Sequence, residues 1–288
     1  MLVVTLISAR PGLSIARDVA ARLGGDLTWL QEDIACDIHI AAPPTAAVLT
    51  EIRALAAAAE VDCVVQEAEG RRKRILIADM DSTMIGEECI DELAALVGLK
   101  TEVAEITARA MNGEIEFEPA LIARVALLKG LPETVIADVI ATRITLAPGG
   151  ATLVATMRAN GAYAALVSGG FTSFTSAISA KLGFDENRAN RLDIADGHLA
   201  GTVSAPILGR EAKVEALREI AAMRGLTPVD ALAVGDGAND LGMIGIAGTG
   251  VAIHAKPAVA AAAPHRIDHG DLTALLFLQG YAATDFVG

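Results

Sequence analysis

Asp79 and Asp81 are the residues of this chain best placed to do chemistry. They lie two positions apart, directly after the apolar run Ile75-Leu76-Ile77-Ala78, which predicts a fully buried strand. Open α/β sheets put their active sites just past the ends of such strands. One carboxylate there can attack as a nucleophile, and the other can serve as general acid and base. Alone, the pair could equally be an acidic turn before a helix capped by Ser82 or Thr83. Three further segments argue against that plain reading. Ser168-Gly169-Gly170 follows the apolar run Ala164-Ala165-Leu166-Val167. Lys213 lies near the start of an amphipathic segment, and Gly235-Asp236-Gly237-Ala238-Asn239-Asp240 follows Ala231-Leu232-Ala233. The set supplies a nucleophile, a hydroxyl with exposed N–H groups, an ammonium and a second acidic cluster. Phosphoryl transfer through an aspartyl-phosphate needs those parts, together with a divalent cation to offset the crowded negative charge.

Two competing chemistries fail on spacing. A serine-esterase elbow needs glycine two residues before the serine, and Leu166 stands there. A dinucleotide-binding glycine loop would end on glycine, whereas this one ends on Asp240, whose charge would repel a pyrophosphate. Spacing does not say which of Asp79 and Asp81 attacks.

The four segments, in this order, resemble the motifs of the haloacid-dehalogenase-like phosphatases. The local words Asp79 to Thr83, Glu88 to Leu93, Arg124 to Gly130, Ser168 to Phe171 and Gly235 to Asp240 are similar to those of the phosphoserine phosphatases within that family. The resemblance covers about residues 74 to 280. It implies that Asp79 is the nucleophile and Asp81 the acid and base, with Lys213 neutralising phosphate and nucleophile. It implies Mg²⁺ held by Asp79, the main-chain carbonyl of Asp81, and Asp236, with Asn239 and Asp240 behind them holding metal-bound water or the lysine. Ser168, Gly169 and Gly170 would bind phosphoryl oxygens. In the substrate O-phosphoserine, the ammonium would fall to Glu88 and the carboxylate to Arg124, between apolar walls Met111 and Phe117. Arginine suits a carboxylate because its guanidinium forms a two-pronged fork. Spacing alone does not choose between Glu87 and Glu88. Two other functions stay open: a related phosphatase or phosphotransferase on another small phosphomonoester, and a catalytically inactive serine-sensing protein.

Composition narrows the setting. The 288 residues are enough for one large domain or two modest ones. With 53% hydrophobic and only 3% aromatic residues, the core must be built from Ala, Val, Leu and Ile, which suits helices packed on a parallel sheet. A net charge of −13 argues against nucleic acid or an anionic membrane as partner. No apolar run reaches the length of a membrane span, and the first residues lack the basic start of a signal peptide, so a cytoplasmic protein is expected. Cys36, Cys63 and Cys89 are odd in number and lack a metal-binding spacing; they are expected to be buried packing residues. The i, i+4 pair His265 and His269 is not expected to bind zinc. The basic run Arg71 to Arg74 is expected to be a solvated linker.

These residues need elements to hold them. Residues 1–70 predict the order β-α-β-β-α-β, a ferredoxin-like α+β domain. Its Arg10-Pro11-Gly12-Leu13 turn is similar to that of ACT-type regulatory domains, and pairing with its own copy in a homodimer is another role open to it. Residues 71–288 predict an α/β domain with a doubly wound parallel sheet. Within it, helices expected over 87–97, 101–111, 118–129 and 132–142 make an inserted cap spanning about 84–145. Beyond the cap, the sequence predicts strands at 162–167, 231–234 and 250–253, a hairpin of 192–194 with 198–203, and helices at 151–160, 172–182, 211–223, 239–247 and 257–262.

Overall fold

The computed structural model describes residues 1–111 and 114–288, without the side chains of Ala108, Ala110 and Met111. Strands β1 (Leu2–Ser8), β2 (Asp26–Gln31), β3 (Ala35–Ile40) and β4 (Val61–Glu67) form an antiparallel sheet in the order β2-β3-β1-β4. Helices Ala16–Leu23 and Ala46–Ala58 cross it, which is the ferredoxin-like arrangement. The first helix stops at Gly24, whose φ of 59° is left-handed. Trp29, on β2, packs against the apolar cluster under this sheet.

The second sheet has seven strands: β5 (Ile75–Ala78), β6 (Tyr163–Phe171), β7 (Glu186–Ala195), β8 (His198–Ser204), β9 (Ala231–Gly235), β10 (Thr249–Ile253) and β11 (His265–Ile267). Their order is β11-β10-β9-β5-β6-β7-β8, parallel except for β8. Every residue of β5, β9 and β10 is buried, as strands covered on both faces require. Fully burying each of Ile75, Leu76 and Ile77 contributes about 1.5–3 kcal/mol. From β5 the chain steps to β6 on one side and later returns to β9 on the other. The crevice past the ends of β5 and β9 is therefore the topological switch point, where such sheets bind ligands. Ala78 pairs with Val234, so Asp79 and Asp236 emerge there almost side by side.

Between β5 and β6 come helices Cys89–Leu96, Lys100–Met111, Phe117–Ala126 and Thr134–Thr142. The cap's two connections to the sheet domain run together. Ile85 bridges Leu146, Gly86 N–H donates to Thr145 O at 3.0 Å, and Ala147 N–H donates to Met84 O at 3.0 Å. Both carboxylate oxygens of Glu87 are taken at this junction, by the Thr145 N–H at 2.8 Å and its hydroxyl at 2.6 Å.

The chain departs from expectation in several places. The strand expected at 192–194 begins six residues earlier, at Glu186. Helix Leu241–Ile246 starts later than Asn239. Cys63 is half-buried rather than buried. The run Arg71 to Arg74 is not a solvated linker. Arg71 Nη2 lies 2.5 Å from Asp37 Oδ2, the Arg72 guanidinium sits 4.2 Å above the Tyr281 ring, and Lys73 Nζ donates to Val229 O at 3.0 Å. The run ties the two sheets together. Asp62 on β4 reinforces the tie by accepting N–H groups of Asp268, His269 and Gly270 at 2.7–3.3 Å. Ile7, Ala35 and Val64 of the first sheet share one core with Leu275, Leu276, Phe277 and Leu278 of a short helix, Ala274–Leu278, that the sequence reading missed. Among the described residues, no helix is long and apolar enough to cross a membrane.

Candidate active site

Asp79 follows the last residue of β5, and its N–H continues the ladder to Val234 O at 3.0 Å. Asp79 is 5% exposed, and its carboxylate lies in the switch-point crevice beside Asp236 and Asp240. Lys213, on helix Arg210–Met223, is fully buried. Its Nζ lies 2.7 Å from Asp79 Oδ1 and 2.6 Å from Asp240 Oδ1. Burial alone would pull the ammonium's pKa down, but the charges of Asp240 and Asp79 outweigh it and hold Lys213 protonated. The other oxygen of Asp240 accepts the Gly237 N–H at 3.0 Å. Both Asp240 oxygens are thus engaged inside the protein.

Asp236 sits across from Asp79, and its Oδ1 accepts the Thr83 hydroxyl at 3.0 Å. Burial, then the charge of Asp79, push Asp236 up to about 6, and the same two causes push Asp240 up to about 7. Oxygens of Asp79, Asp236 and Asp240 all lie within 4.8 Å of one another. Three carboxylates with one ammonium among them leave an excess of negative charge, and all the donors are oxygens. That set fits a hard divalent cation. With Asp240 committed to Lys213 and Gly237, the oxygens left for a metal belong to Asp79 and Asp236.

Asp81 Oδ1 accepts the Cys89 N–H at 3.0 Å, at the start of the first cap helix. Burial pushes Asp81 up to about 6, with the charge of Asp79 adding to the effect. Its Oδ2 faces Gly170, where a β-carbon would come within 2.7 Å, so a larger residue there would displace the Asp81 carboxylate. Ser168 is 1% exposed, and its Oγ accepts the Gly170 N–H at 2.9 Å. Asn239 is half-buried and folds back over Gly237. The Cys89 thiol, buried and flanked by Asp81, is held well above its usual range, which leaves it a packing group.

The cap brings a second set of residues over this floor. Glu88 faces the cleft and accepts the Ser82 hydroxyl at 2.7 Å. Its surface stays exposed, but crowding of its carboxyl by the surrounding protein and then the charge of Asp81 push it up to about 7. The two glutamates that spacing could not tell apart are distinct in space, Glu87 at the cap junction and Glu88 at the cleft. Arg124 is half-buried, donates to Ala120 O at 3.2 Å and to Thr107 Oγ1 at 3.4 Å, and lies near enough to Asp91, Glu88 and Asp81 to feel their charges. The Phe117 ring lies against Gly169 and Gly209, 3.1 and 3.3 Å from where their β-carbons would stand. The side chain of Met111 lies outside the described residues.

The structure therefore brings Asp79, Asp81, Lys213, Asp236, Asp240, Ser168, Gly169 and Gly170 to one crevice, with Glu88, Phe117 and Arg124 above it. Sequence reasoning passed over Ser82 and Thr83, which it weighed only as helix caps. They hold Glu88 and Asp236, and Ser82 takes a φ of 54° to do so. Their place beside Asp81 was the available signal.

The chain is similar to known proteins over most of its length. The phosphoserine phosphatase of Streptomyces coelicolor is 42% identical over 248 residues, 85% of this chain. This chain spans only 60% of the length of that relative. The phosphoserine phosphatase of Lactococcus lactis is 43% identical over 71% of this chain and 94% of its own. The solved structure of the HAD-family hydrolase t0658 from Salmonella enterica superposes with a TM-score of 0.87 at 30% identity, covering 96% of this chain and 98% of that one. The model of the haloacid dehalogenase-like hydrolases matches residues 76–245, from within β5 to the helix after Asp240, and the chain belongs to that family.

Proposed function

We propose that this chain hydrolyses O-phospho-L-serine to L-serine and phosphate through an aspartyl-phosphate on Asp79. The carrying observation is the pair Glu88 and Arg124, one acid and one guanidinium, both close enough to Asp81 for their charges to interact with it, beside the buried Asp79–Lys213 pair. An amino acid presents an ammonium and a carboxylate, and this cleft offers a partner for each. The relatives named phosphoserine phosphatase support the same substrate.

In the first step an Asp79 oxygen attacks phosphorus, and the bond from phosphorus to the seryl oxygen breaks. Asp81 delivers its proton to that oxygen. A carboxyl pushed up to about 6 is still partly protonated near neutral pH, which suits it to the task. In the second step Asp81 takes a proton from the water that cleaves the aspartyl-phosphate. Lys213 and the N–H groups of residues 169 and 170 meet the phosphoryl oxygens, the Gly170 N–H exchanging its bond to Ser168 for the ligand. Asp79, Asp236 and the main-chain carbonyl of Asp81 would hold Mg²⁺, which supplies charge neutralisation between anionic nucleophile and anionic substrate. Arg124 and Glu88 fix the amino-acid end, and Phe117 excludes water.

The test is phosphate release from phosphoserine against other phosphomonoesters, with Asp79→Asn as the inactive control. Beryllofluoride, which mimics a phosphoryl group on a carboxylate, should attach to Asp79. Attachment at Ser168, or a preference for a phosphomonoester without an amino-acid end, would refute the reading.

A further inference from the structure

The ladder between β6 and β7 breaks where the phosphoryl-facing segment begins. Val167 pairs with Arg188, and the next pair is Phe171 with Asn190. Residues 168, 169 and 170 thus stand opposite Ala189 alone, so the segment bulges away from the strand that should bind its main chain. A side chain fills the gap. Asn190 Nδ2 donates to Gly169 O at 2.8 Å. The same carboxamide also reaches the chain ahead of the Lys213 helix, where Nδ2 donates to Leu208 O at 3.2 Å and Oδ1 accepts the Leu208 N–H at 2.6 Å. Asn190 is 2% exposed, so it is enclosed by the groups it binds.

Both segments bear on the site. Gly169 adjoins the hydroxyl of Ser168, and Leu208 leads through Gly209 into the helix that carries Lys213. Phe117 of the cap rests on Gly169 and Gly209 together. We propose that Asn190 is a positioning residue: its carboxamide sets the separation of residues 168–170 from residues 208–209. In doing so it aligns the phosphoryl-binding N–H groups with Lys213 and shapes the floor on which Phe117 closes. The demand is for two donated bonds and one accepted bond in one plane, which a carboxamide meets and neither a carboxylate nor an aliphatic side chain does. This inference rests on the phosphatase reading above.

The experiment compares Asn190→Asp and Asn190→Ser with the wild-type full chain. Asn190→Asp keeps the shape and the acceptor but turns an acceptor towards two carbonyls. Asn190→Ser is small and uncharged, and it keeps the measurement open if the first variant folds poorly. On phosphoserine, kcat should fall by about tenfold or more while KM stays within about threefold, because amino-acid contacts in the cap are untouched and phosphoryl alignment is not. Affinity for orthovanadate, measured by calorimetry, should fall by a similar factor. A purely structural role would lower the melting temperature and leave both readouts of the folded enzyme alone. A folded Asn190→Ser enzyme with kcat and vanadate affinity within about twofold of wild type would overturn the proposal, as would a loss confined to KM. If wild type itself fails to hydrolyse phosphoserine, the functional reading falls, and vanadate binding still decides the role of Asn190.

Discussion

Adding Mg²⁺ to the metal-free protein should raise its melting temperature more at about pH 8 than at about pH 5. Asp236 carries the argument. Burial and the charge of Asp79 push its pKa from 3.8 up to about 6. A carboxyl whose folded pKa is raised holds its proton longer in the folded state than in the unfolded one. Its stabilising contribution is complete below about pH 4 and is lost as the pH rises through about 6. Two units correspond to about 3 kcal/mol at about 1.4 kcal/mol each, and water reaching this half-buried group trims that to about 1–3 kcal/mol. Unfolding entropy of about 2.1 cal/mol/K per residue gives roughly 0.6 kcal/mol/K for 288 residues, so the penalty is worth about 2–5 °C. A cation bound between Asp79 and Asp236 removes the penalty only where Asp236 is ionised. Thermal melts in chelator and in Mg²⁺ across this pH range read the difference directly. Asp236→Asn keeps the bond to Thr83 and drops the charge, so in chelator at about pH 8 it should melt above wild type and respond little to Mg²⁺. Equal gains at the two pH values, or an Asp236→Asn protein that melts below wild type there, would refute the reasoning.

Arg124→Ala should weaken phosphoserine turnover by about 10- to 150-fold, the loss of a charge-assisted pair worth about 1.5–3 kcal/mol, and barely affect a phosphomonoester without a carboxylate. Equal losses in kcat/KM on both substrates would remove Arg124 from carboxylate recognition. Lys213→Met leaves Asp79 and Asp240 buried without their cation and should cost about 3–5 kcal/mol in urea unfolding at about pH 8. The loss should shrink at about pH 5, where Asp240, pushed up to about 7, is protonated; a loss under about 1 kcal/mol at the higher pH would contradict the role of Lys213 between Asp79 and Asp240. A fragment of residues 71–288 keeps all the proposed catalytic side chains but uncovers the helix Ala274–Leu278. It should melt lower and aggregate more readily than the full chain, and an unchanged melt would mean the first sheet lends the rest no stability.

The parts of the fold visible in advance were those with strong local marks. Helices Thr172–Leu182 and Pro257–Ala262 take the expected bounds because glycine follows one and proline opens the other. The first half of β7 escaped notice because Glu186 to Arg191 has no apolar alternation. Its place is set by pairing with β6 and by ion pairs of Arg188 with Glu186 at 2.9 Å and Glu219 at 2.5 Å. The helix Ala274–Leu278 is apolar on every side and five residues long, so it shows no helical period. At the site, motif spacing pointed to the carboxylates and the lysine. The roles of Glu87 and Asn190 are set by partners 58 and 18–21 residues away, which no local pattern encodes. The basic run misled because charge suggests solvent, and only the fold shows that Asp37 waits for Arg71.

The chain's single tryptophan, Trp29, lies on β2 of the first sheet, far in sequence from every proposed catalytic residue. Its ultraviolet emission is thus a private signal of the four-stranded sheet, while ellipticity reports every helix. Because Ile7, Ala35 and Val64 share a core with Leu275 to Leu278, the two signals should change together on heating. A fragment that begins at Arg71 is dark at tryptophan wavelengths, so any residual emission in such a preparation measures contamination by the full chain.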